Sequence, residues 1–448
     1  MWRRRITIDD QAITDGSGIT LKQSLFPNFL VTILFFLWGF AYGLLDTLNS
    51  HFQDELNITA ISGWILRRFG FRVTFMTGLC IMTIGCLLFW PSGVKASFGG
   101  FCGSMFVVGA GLSTLETGAD NFLAICGPPR YSEIRLNLAQ GIQGVGTFVA
   151  PLLASRVFFA NTVDTQQGLK NVQWVYLGVA CFVALLVPLF YIAPMPEVTD
   201  ADMGLQERDI SETDVGPFKK QYNLFLGVWS EFCYTGAQVA VANYFINFAE
   251  EAGYSASKSS DLLAVGQGLY TFMRFVSSGL ITIGVKPRYI LATYLGLCFI
   301  FGVAATTTSG PTSVAMLILV LCFESACFAT IFTLALRGLG HHTKRGGSML
   351  VAAISGGAAI PPMTGAVATH TGNFHKAMAI PTAFYVLAWI FPIYANTVSR
   401  KLLDGHRTTD VNVSGEKKVV DGHDEVEVEL QAEDGKGGTE RVENINAA

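Results

Sequence analysis

Five carboxylates lie inside stretches of chain that are otherwise apolar. Asp46 sits in Gly43-Leu-Leu-Asp46-Thr-Leu-Asn49. Glu116 and Asp120 share the stretch Leu115-Glu116-Thr-Gly-Ala-Asp120. Glu231 and Glu324 each sit alone in a similar block. An ionisable group in such a setting is costly, so each is a candidate for function. The chemistry open to them is proton exchange, because a carboxyl in a partly dry site can gain and lose its proton near neutral pH. Glu116 and Asp120 are one helical turn apart and share a face. Plainer readings stay open: a hydrogen bond across helices for Glu116, a helix end at the headgroups for Asp46, and packing roles for Asp120, Glu231 and Glu324. Arg274 is expected to snorkel or to cap a helix end.

Gln140 and Gln143 lie three apart on one predicted helix, so two amides face one way. They could bind the hydroxyls of a polar solute, or act as glue between helices. Trp38, Tyr42, Tyr234 and Tyr244 could stack on a sugar ring, or serve as packing and interfacial anchors. No phosphate-binding GxxxxGK[ST], zinc-protease HExxH or Ser/His/Asp pattern occurs, so no enzyme, ATP coupling or nucleic-acid partner is expected. His341-His342 has no further ligands nearby in sequence, and no metal or other cofactor is expected. The nine cysteines all fall in apolar blocks without metal or disulfide spacing, and read as small packing residues.

The elements that must position these residues are membrane spans. The 448-residue chain is 51% hydrophobic and 14% charged, against about 25% charged in soluble domains. Apolar blocks long enough to cross a bilayer run at about 27–49, 73–91, 98–126, 135–160, 173–193, 222–249, 261–284, 288–308, 312–337, 347–369 and 376–397. The reading is an all-α polytopic membrane protein. A cytoplasmic tail (1–26) precedes a first bundle (27–193). An acidic cytoplasmic linker (194–221) leads to a second bundle (222–397), followed by a disordered acidic tail (398–448). No cleavable leader is expected, since the first apolar block starts only near Phe29 and is too long for one.

The two halves echo one another. Glu116 and Glu324 lie deep in corresponding spans, Arg135 and Arg345 open the next, and Pro151 and Pro361 follow inside Gly-rich helices. Phe40-Ala-Tyr42-Gly43 echoes Phe232-Cys-Tyr234-Thr-Gly236 more weakly. Such duplication marks many secondary transporters. The span at 261–284 has no partner in the first half. The connector after Asn49 also carries both what should follow one span (His51-Phe-Gln-Asp-Glu) and what should precede another (Gly63-Trp-Ile-Leu-Arg67-Arg68-Phe-Gly70-Phe-Arg72). Basic residues flank the first span on both sides, and one span cannot place both flanks in the cytoplasm. A second span is therefore missing from the pattern, with the join near Thr59–Ser62. The sequon at Asn57 lies close to the membrane.

At these residues the chain resembles the fucose permease branch of the major facilitator superfamily, the fucose–galactose–glucose proton symporters. The resemblance covers about residues 27–397. It is carried by FFLWGFAYGLLDTLNSHFQ, GLSTLETGAD, IRLNLAQGIQGVG, EFCYTGAQ and RGLGHHTKRGGS. It implies twelve spans in two six-helix bundles that rock about a central cavity, one span being absent here. It implies proton relay by Asp46, a link between protonation and sugar binding at Glu116, and sugar contact at Gln140. Gly63, Arg67, Arg68, Gly70 and Arg72 look like the superfamily's cytoplasmic gating loop between spans two and three. The chain departs from the fucose permease at Gly43, Gln143, Phe328, Asp120 and Glu231, which alters the cavity. The expectation is a monomeric, multi-pass carrier of a small polar solute, such as L-fucose or a related monosaccharide, driven by the proton gradient. The plasma membrane is the default location. An exporter of a secondary metabolite, a non-transporting sensor and an inactive truncated form remain as alternatives.

Overall fold

A computed structural model describes residues 19–45, 55–95, 97–128, 131–153, 166–200, 202–203, 216–405, 409–411 and 417–419. The first half contains α1 (Leu21–Leu45), α2 (Glu55–Val94), α3 (Phe98–Ile125), α4 (Ser132–Leu153) and α5 (Gln166–Ile192). The second contains α6 (Tyr222–Glu251), α7 (Ala256–Thr282), α8 (Pro287–Thr307), α9 (Pro311–Glu324) and α10 (Cys327–Leu336). It continues with α11 (Thr343–Ala352), α12 (Gly356–Thr371), α13 (Phe374–Ala377), α14 (Ala379–Ala388), α15 (Ile390–Thr397) and α16 (Arg400–Gly405). Within the described residues, each expected span coincides with one rod or with a run of shorter ones. Among the described residues, six rods are long and apolar enough to cross a membrane by length and composition.

Local chemistry sets the rod ends. Ser97 accepts from the Gly100 amide to start α3, and Ser255 accepts from Lys258 to start α7. Pro287 and Pro311 open α8 and α9, where a missing N–H costs nothing. Gly372, left-handed at φ 60°, ends α12.

In the first bundle α1 packs on α4, and α2 packs on α3 and α5. Phe71, Phe75, Phe122 and Phe190 pack as one aromatic core, with centroids 5.2–6.4 Å apart. In the second, α6 packs on α10, α12 and α14, and α8 on α9 and α14.

The repeat is visible in contacts. Asn28 donates from Nδ2 to the carbonyl of Cys126 at 3.3 Å, where α3 ends. Asn223 does the same to Leu334 at 2.8 Å, in the last turn of α10. A Cβ on Gly146 would fall 2.6 Å from the Phe36 carbonyl oxygen, and one on Gly356 would fall 1.9 Å from that of Phe232. Small residues are what let spans approach so closely. These contacts match Phe36 with Phe232, one helical turn away from the Phe40–Phe232 match suggested by sequence.

Four expectations are corrected. Residues 55–69 are not a loop: they form the first part of α2, which breaks at Gly70 (φ 79°, ψ −177°). Ser62, Gly63, Leu66 and Gly70 are buried on one face, while Arg67 and Arg68 are exposed. That four-residue spacing is a helical stripe, and it seats the segment against α3 and α11. Its described part, from Glu55 to Gly70, is shorter than the ~20 residues a span needs. Helix α1 begins at Leu21, inside the supposed tail, and runs through Pro27. The start of the acidic linker is docked, with Met195, Val198, Thr199 and Asp202 buried. The C-terminal tail begins as α16, which is pinned by Asp404, and a small hairpin pairs Thr409–Val411 with Lys417–Val419.

Candidate functional site

The bundles meet along α4 and α7, along α11 with α2 and α3, and along α10 with α4. The contacts are close. A Cβ on Gly141 would fall 2.8 Å from the Phe275 ring, and one on Gly144 would fall 2.5 Å from Thr271 Oγ1. Gly63 faces Ser348, and Gly347 presses on Asn121. Arg337, beyond α10, donates from Nη2 to Glu133 at the start of α4, and both are buried. Arg337 also donates from Nη1 to the Leu403 carbonyl of α16 at 2.7 Å. Lys and Arg crowd this end of the rods: Arg67, Arg68, Arg72, Arg135, Lys219, Lys220, Lys286, Arg288, Arg337, Lys344 and Arg345. The positive-inside rule makes it the cytoplasmic end. The bundles are therefore closed on the cytoplasmic side.

Gly63, Arg67, Arg68, Gly70 and Arg72, expected from the resemblance to form a gating loop, lie on this closed side. The break at Gly70 frees the amides of Phe71 and Arg72. Glu197, just beyond α5, accepts from both, at 3.0 and 3.2 Å. A carboxylate at a helix start is favoured by the exposed donors and the dipole. Burial pushes the Glu197 carboxyl up, while these two hydrogen bonds and the charges of Lys344 and Arg72 pull it down by less. Arg72 completes the knot by donating to the Ala193 carbonyl at 3.0 Å.

The other predicted residues lie within the helices beyond this closure. Asp120 is fully buried, and neither of its oxygens accepts a hydrogen bond. Glu116 stands one turn away, half-buried. From the other bundle, Glu231 is fully buried and its Oε1 accepts from Thr235 at 3.3 Å. Glu324 Oε2 accepts from the Tyr385 hydroxyl at 2.5 Å. Gln140 is buried on α4 with no partner for Oε1, and Gln143 is half-buried with its carbonyl against Gly39. Trp38 is half-buried beside Phe35.

Others are placed differently. Tyr234 is fully buried in the second bundle, and its hydroxyl donates to the Glu324 carbonyl at 2.7 Å, so its ring is packed rather than offered to a solute in this state. Its hydrogen bond serves the break between α9 and α10. Asp46 lies outside the described residues, as does the side chain of Tyr42 in the last turn of α1.

Sequence reasoning missed two features. Arg274 does not snorkel: it is 5% exposed and donates to the Tyr270 hydroxyl. Tyr270 in turn accepts from Gln238 at 2.6 Å. The signal available was a lone arginine within an apolar block, facing a surplus of carboxylates. The Glu133–Arg337 pair carried no such signal, because its partners lie 204 positions apart.

Comparison with known proteins agrees with this geometry. The family model described as Major Facilitator Superfamily matches residues 56–362. A glucose/galactose transporter of Brucella abortus is 29% identical over 386 residues, covering 79% of this chain and 90% of that protein. The L-fucose-proton symporter of Escherichia coli is 26% identical over 415 residues, covering 83% and 93%. The crystal structure of the transporter FucP in the outward conformation superposes with a TM-score of 0.73 at 26% identity, covering 83% of this chain and 99% of that one. A proton:xylose symporter, at 13% identity and a TM-score of 0.63, shares the fold. With a family model matching more than half its length and two bundles closed on one another, the chain belongs to the major facilitator superfamily, a multi-pass membrane transporter and not an enzyme.

Proposed function

We propose that this chain carries a monosaccharide, of the L-fucose, D-galactose or D-glucose class, across a membrane together with protons. What supports the reading is half-buried Glu116 on α3 and buried Gln140, its amide oxygen without a partner, on α4, two helices of the first bundle that meet the second. A sugar offers hydroxyls to the amides of Gln140 and Gln143 and an apolar ring face to Trp38. Its relatives are named for such sugars. Glu116, with Asp46, would bind the driving proton, and protonation would favour sugar binding before the bundles rock. The proton gradient replaces any cofactor, and the chain acts as a monomer in the plasma membrane.

The test is uptake in proteoliposomes. Labelled L-fucose, D-galactose and D-glucose are offered with an inward proton gradient. Accumulation above equilibrium for one of them is the expected result. Glu116→Gln should abolish accumulation while leaving sugar exchange in place. Accumulation that survives intact in Glu116→Gln would reject the assignment of that residue. No gradient-driven flux of any sugar would reject the symport reading and favour export of another solute.

A further inference from the structure

The sugar contacts proposed above, Gln140, Gln143 and Trp38, all lie on the first bundle. A ligand shifts a two-state equilibrium only through interactions that differ between the states, so a sugar that makes the bundles rock must touch the second bundle too. Tyr234, the aromatic expected there, gives its hydroxyl proton to the Glu324 carbonyl, and Tyr385 gives its own to the Glu324 carboxyl. Tyr270 on α7 differs. Its half-buried hydroxyl accepts from Gln238 Nε2 of α6 at 2.6 Å and from Arg274 Nη2, one turn along α7. The Arg274 guanidinium also lies 4.5 Å from the centre of the Tyr270 ring. A phenol oxygen has two lone pairs and one proton. Both lone pairs are taken, so the proton is left to donate, and it finds no acceptor among the described residues. Arg274 Nε is a second, buried donor without a partner. The triad thus holds more donors than acceptors, and a buried donor left unpaired is costly. Its helices border the seam. Thr271 and Phe275, the chain neighbours of Tyr270 and Arg274, pack on Gly144 and Gly141 of α4, the helix that carries Gln140. On α6, Gln238 continues the stripe of Glu231 and Thr235.

We propose that Tyr270 is the second bundle's sugar contact and donates its hydroxyl proton to one hydroxyl oxygen of the monosaccharide. Gln238 and Arg274 are positioning residues. By filling both lone pairs they fix the direction of the O–H bond and leave the phenol unable to accept. A charged donor on the phenol oxygen also strengthens the hydrogen bond that the phenol gives onward. The site therefore reads the presence of an oxygen at one place on the sugar ring. A sugar that lacks it leaves the phenol proton unpaired. With Gln140 on α4 and Tyr270 on α7, a bound sugar joins the two bundles through the helices that already pack together. The inference rests on the monosaccharide reading above, but not on proton coupling.

The test is sugar exchange by the full-length chain in proteoliposomes without a proton gradient. Labelled L-fucose, D-galactose and D-glucose are each competed with the same unlabelled sugar and with analogues that lack one hydroxyl apiece. Analogue and sugar are compared within one chain, so the amount of active protein cancels. In the unaltered chain one analogue should compete about tenfold more weakly than its sugar, the cost of leaving a donor unpaired. Tyr270→Phe keeps the ring and should shrink that one penalty to within about twofold, with the penalties at other positions unchanged. Gln238→Leu keeps the phenol but frees one lone pair, and should lower the same penalty by at least about threefold. It gives the reading if Tyr270→Phe does not fold. A profile unchanged in whichever variant folds, as a packing role predicts, overturns the contact. So does a profile lowered equally at every position. An unaltered chain that exchanges none of the three sugars overturns the monosaccharide reading and the contact with it. An unchanged profile in a chain that does exchange sugar removes Tyr270 alone.

Discussion

Replacing Glu133 with Gln removes the charge facing Arg337 across the cytoplasmic seam. Glu133 is 0% exposed and the Arg337 side chain 7%. Breaking a buried ion pair from one side costs about 3–5 kcal/mol, because the surviving charge is stranded. Two features reduce this. Arg337 keeps its hydrogen bond to the Leu403 carbonyl, and the new amide can still accept from the guanidinium. When the seam opens, both groups reach water and the variant loses nothing. About 2 kcal/mol should thus fall on the closed state alone, a shift of roughly 30-fold toward the state open to the cytoplasm. Spin labels on Arg67 and His341, exposed on opposite bundles, would report the two populations as two distances. Glu133→Asp, which keeps the charge, should restore most of the closed population. A Glu133→Gln ratio within threefold of the parent chain would refute the view that this pair is a closing contact.

Gly347→Val should wedge the same seam. Its Cβ would fall 1.6 Å from Asn121 Oδ1, and Asn121 is held by its own bond to the Thr117 carbonyl; gradient-driven uptake should vanish while folded protein is retained, as size exclusion would show. Asp404 is drawn up by burial, but its hydrogen bonds from Lys286 and Arg288 and their charges outweigh this and hold its carboxyl below the usual range. Its stabilising effect is therefore present above the ordinary carboxylate pKa and lost as pH falls through the lower folded value. Asp404→Asn should cost about 1 kcal/mol near pH 7, read as a lower midpoint of thermal unfolding in detergent. Glu197 behaves oppositely: burial raises its carboxyl, so its contribution is greatest below the ordinary glutamate value and declines as pH rises through the folded one. Glu197→Gln should remove that slope from the pH dependence of the same midpoint. Gly70→Ala should cost about 1–2 kcal/mol, since a φ of 79° strains any residue with a Cβ.

The spans were legible because a bilayer requires long apolar runs, and each matched a rod. The repeat was legible through Glu116 with Glu324 and Arg135 with Arg345, but its register was not. The echo of Phe40 in Phe232 slipped by one turn, a shift that leaves a similar face forward on a helix and so is invisible in pattern. The connector misled because Arg67 and Arg68 read as a loop; the buried stripe from Ser62 to Gly70 is short and has its meaning only beside α3 and α11. Within the site, carboxylates announced themselves by being out of place, whereas their pairing depends on two bundles meeting. Nothing along the chain says that Glu133 will pair with Arg337, or that Tyr234 will donate its hydroxyl to the carbonyl where α9 ends.

The two halves also differ in how they are strung. Among the described residues, α3 and α4 run unbroken, whereas three passes of the second half are interrupted. The α9/α10 pass breaks after Glu324, a 3-10 turn at Ala353–Ser355 separates α11 from α12, and α14 stops at Trp389 before α15. Interruptions of this kind remove ladder hydrogen bonds and serve as hinges. Helices α3 and α4 are thus the stiffer passes, and the interrupted passes of the second half the more pliant ones. In amide-exchange terms, protection should fall at Ser325, at Ala353–Ser355 and around Trp389 well before it falls anywhere within α3. The stroke of the carrier would then be distributed unequally, with bending concentrated in the half that also supplies Arg274.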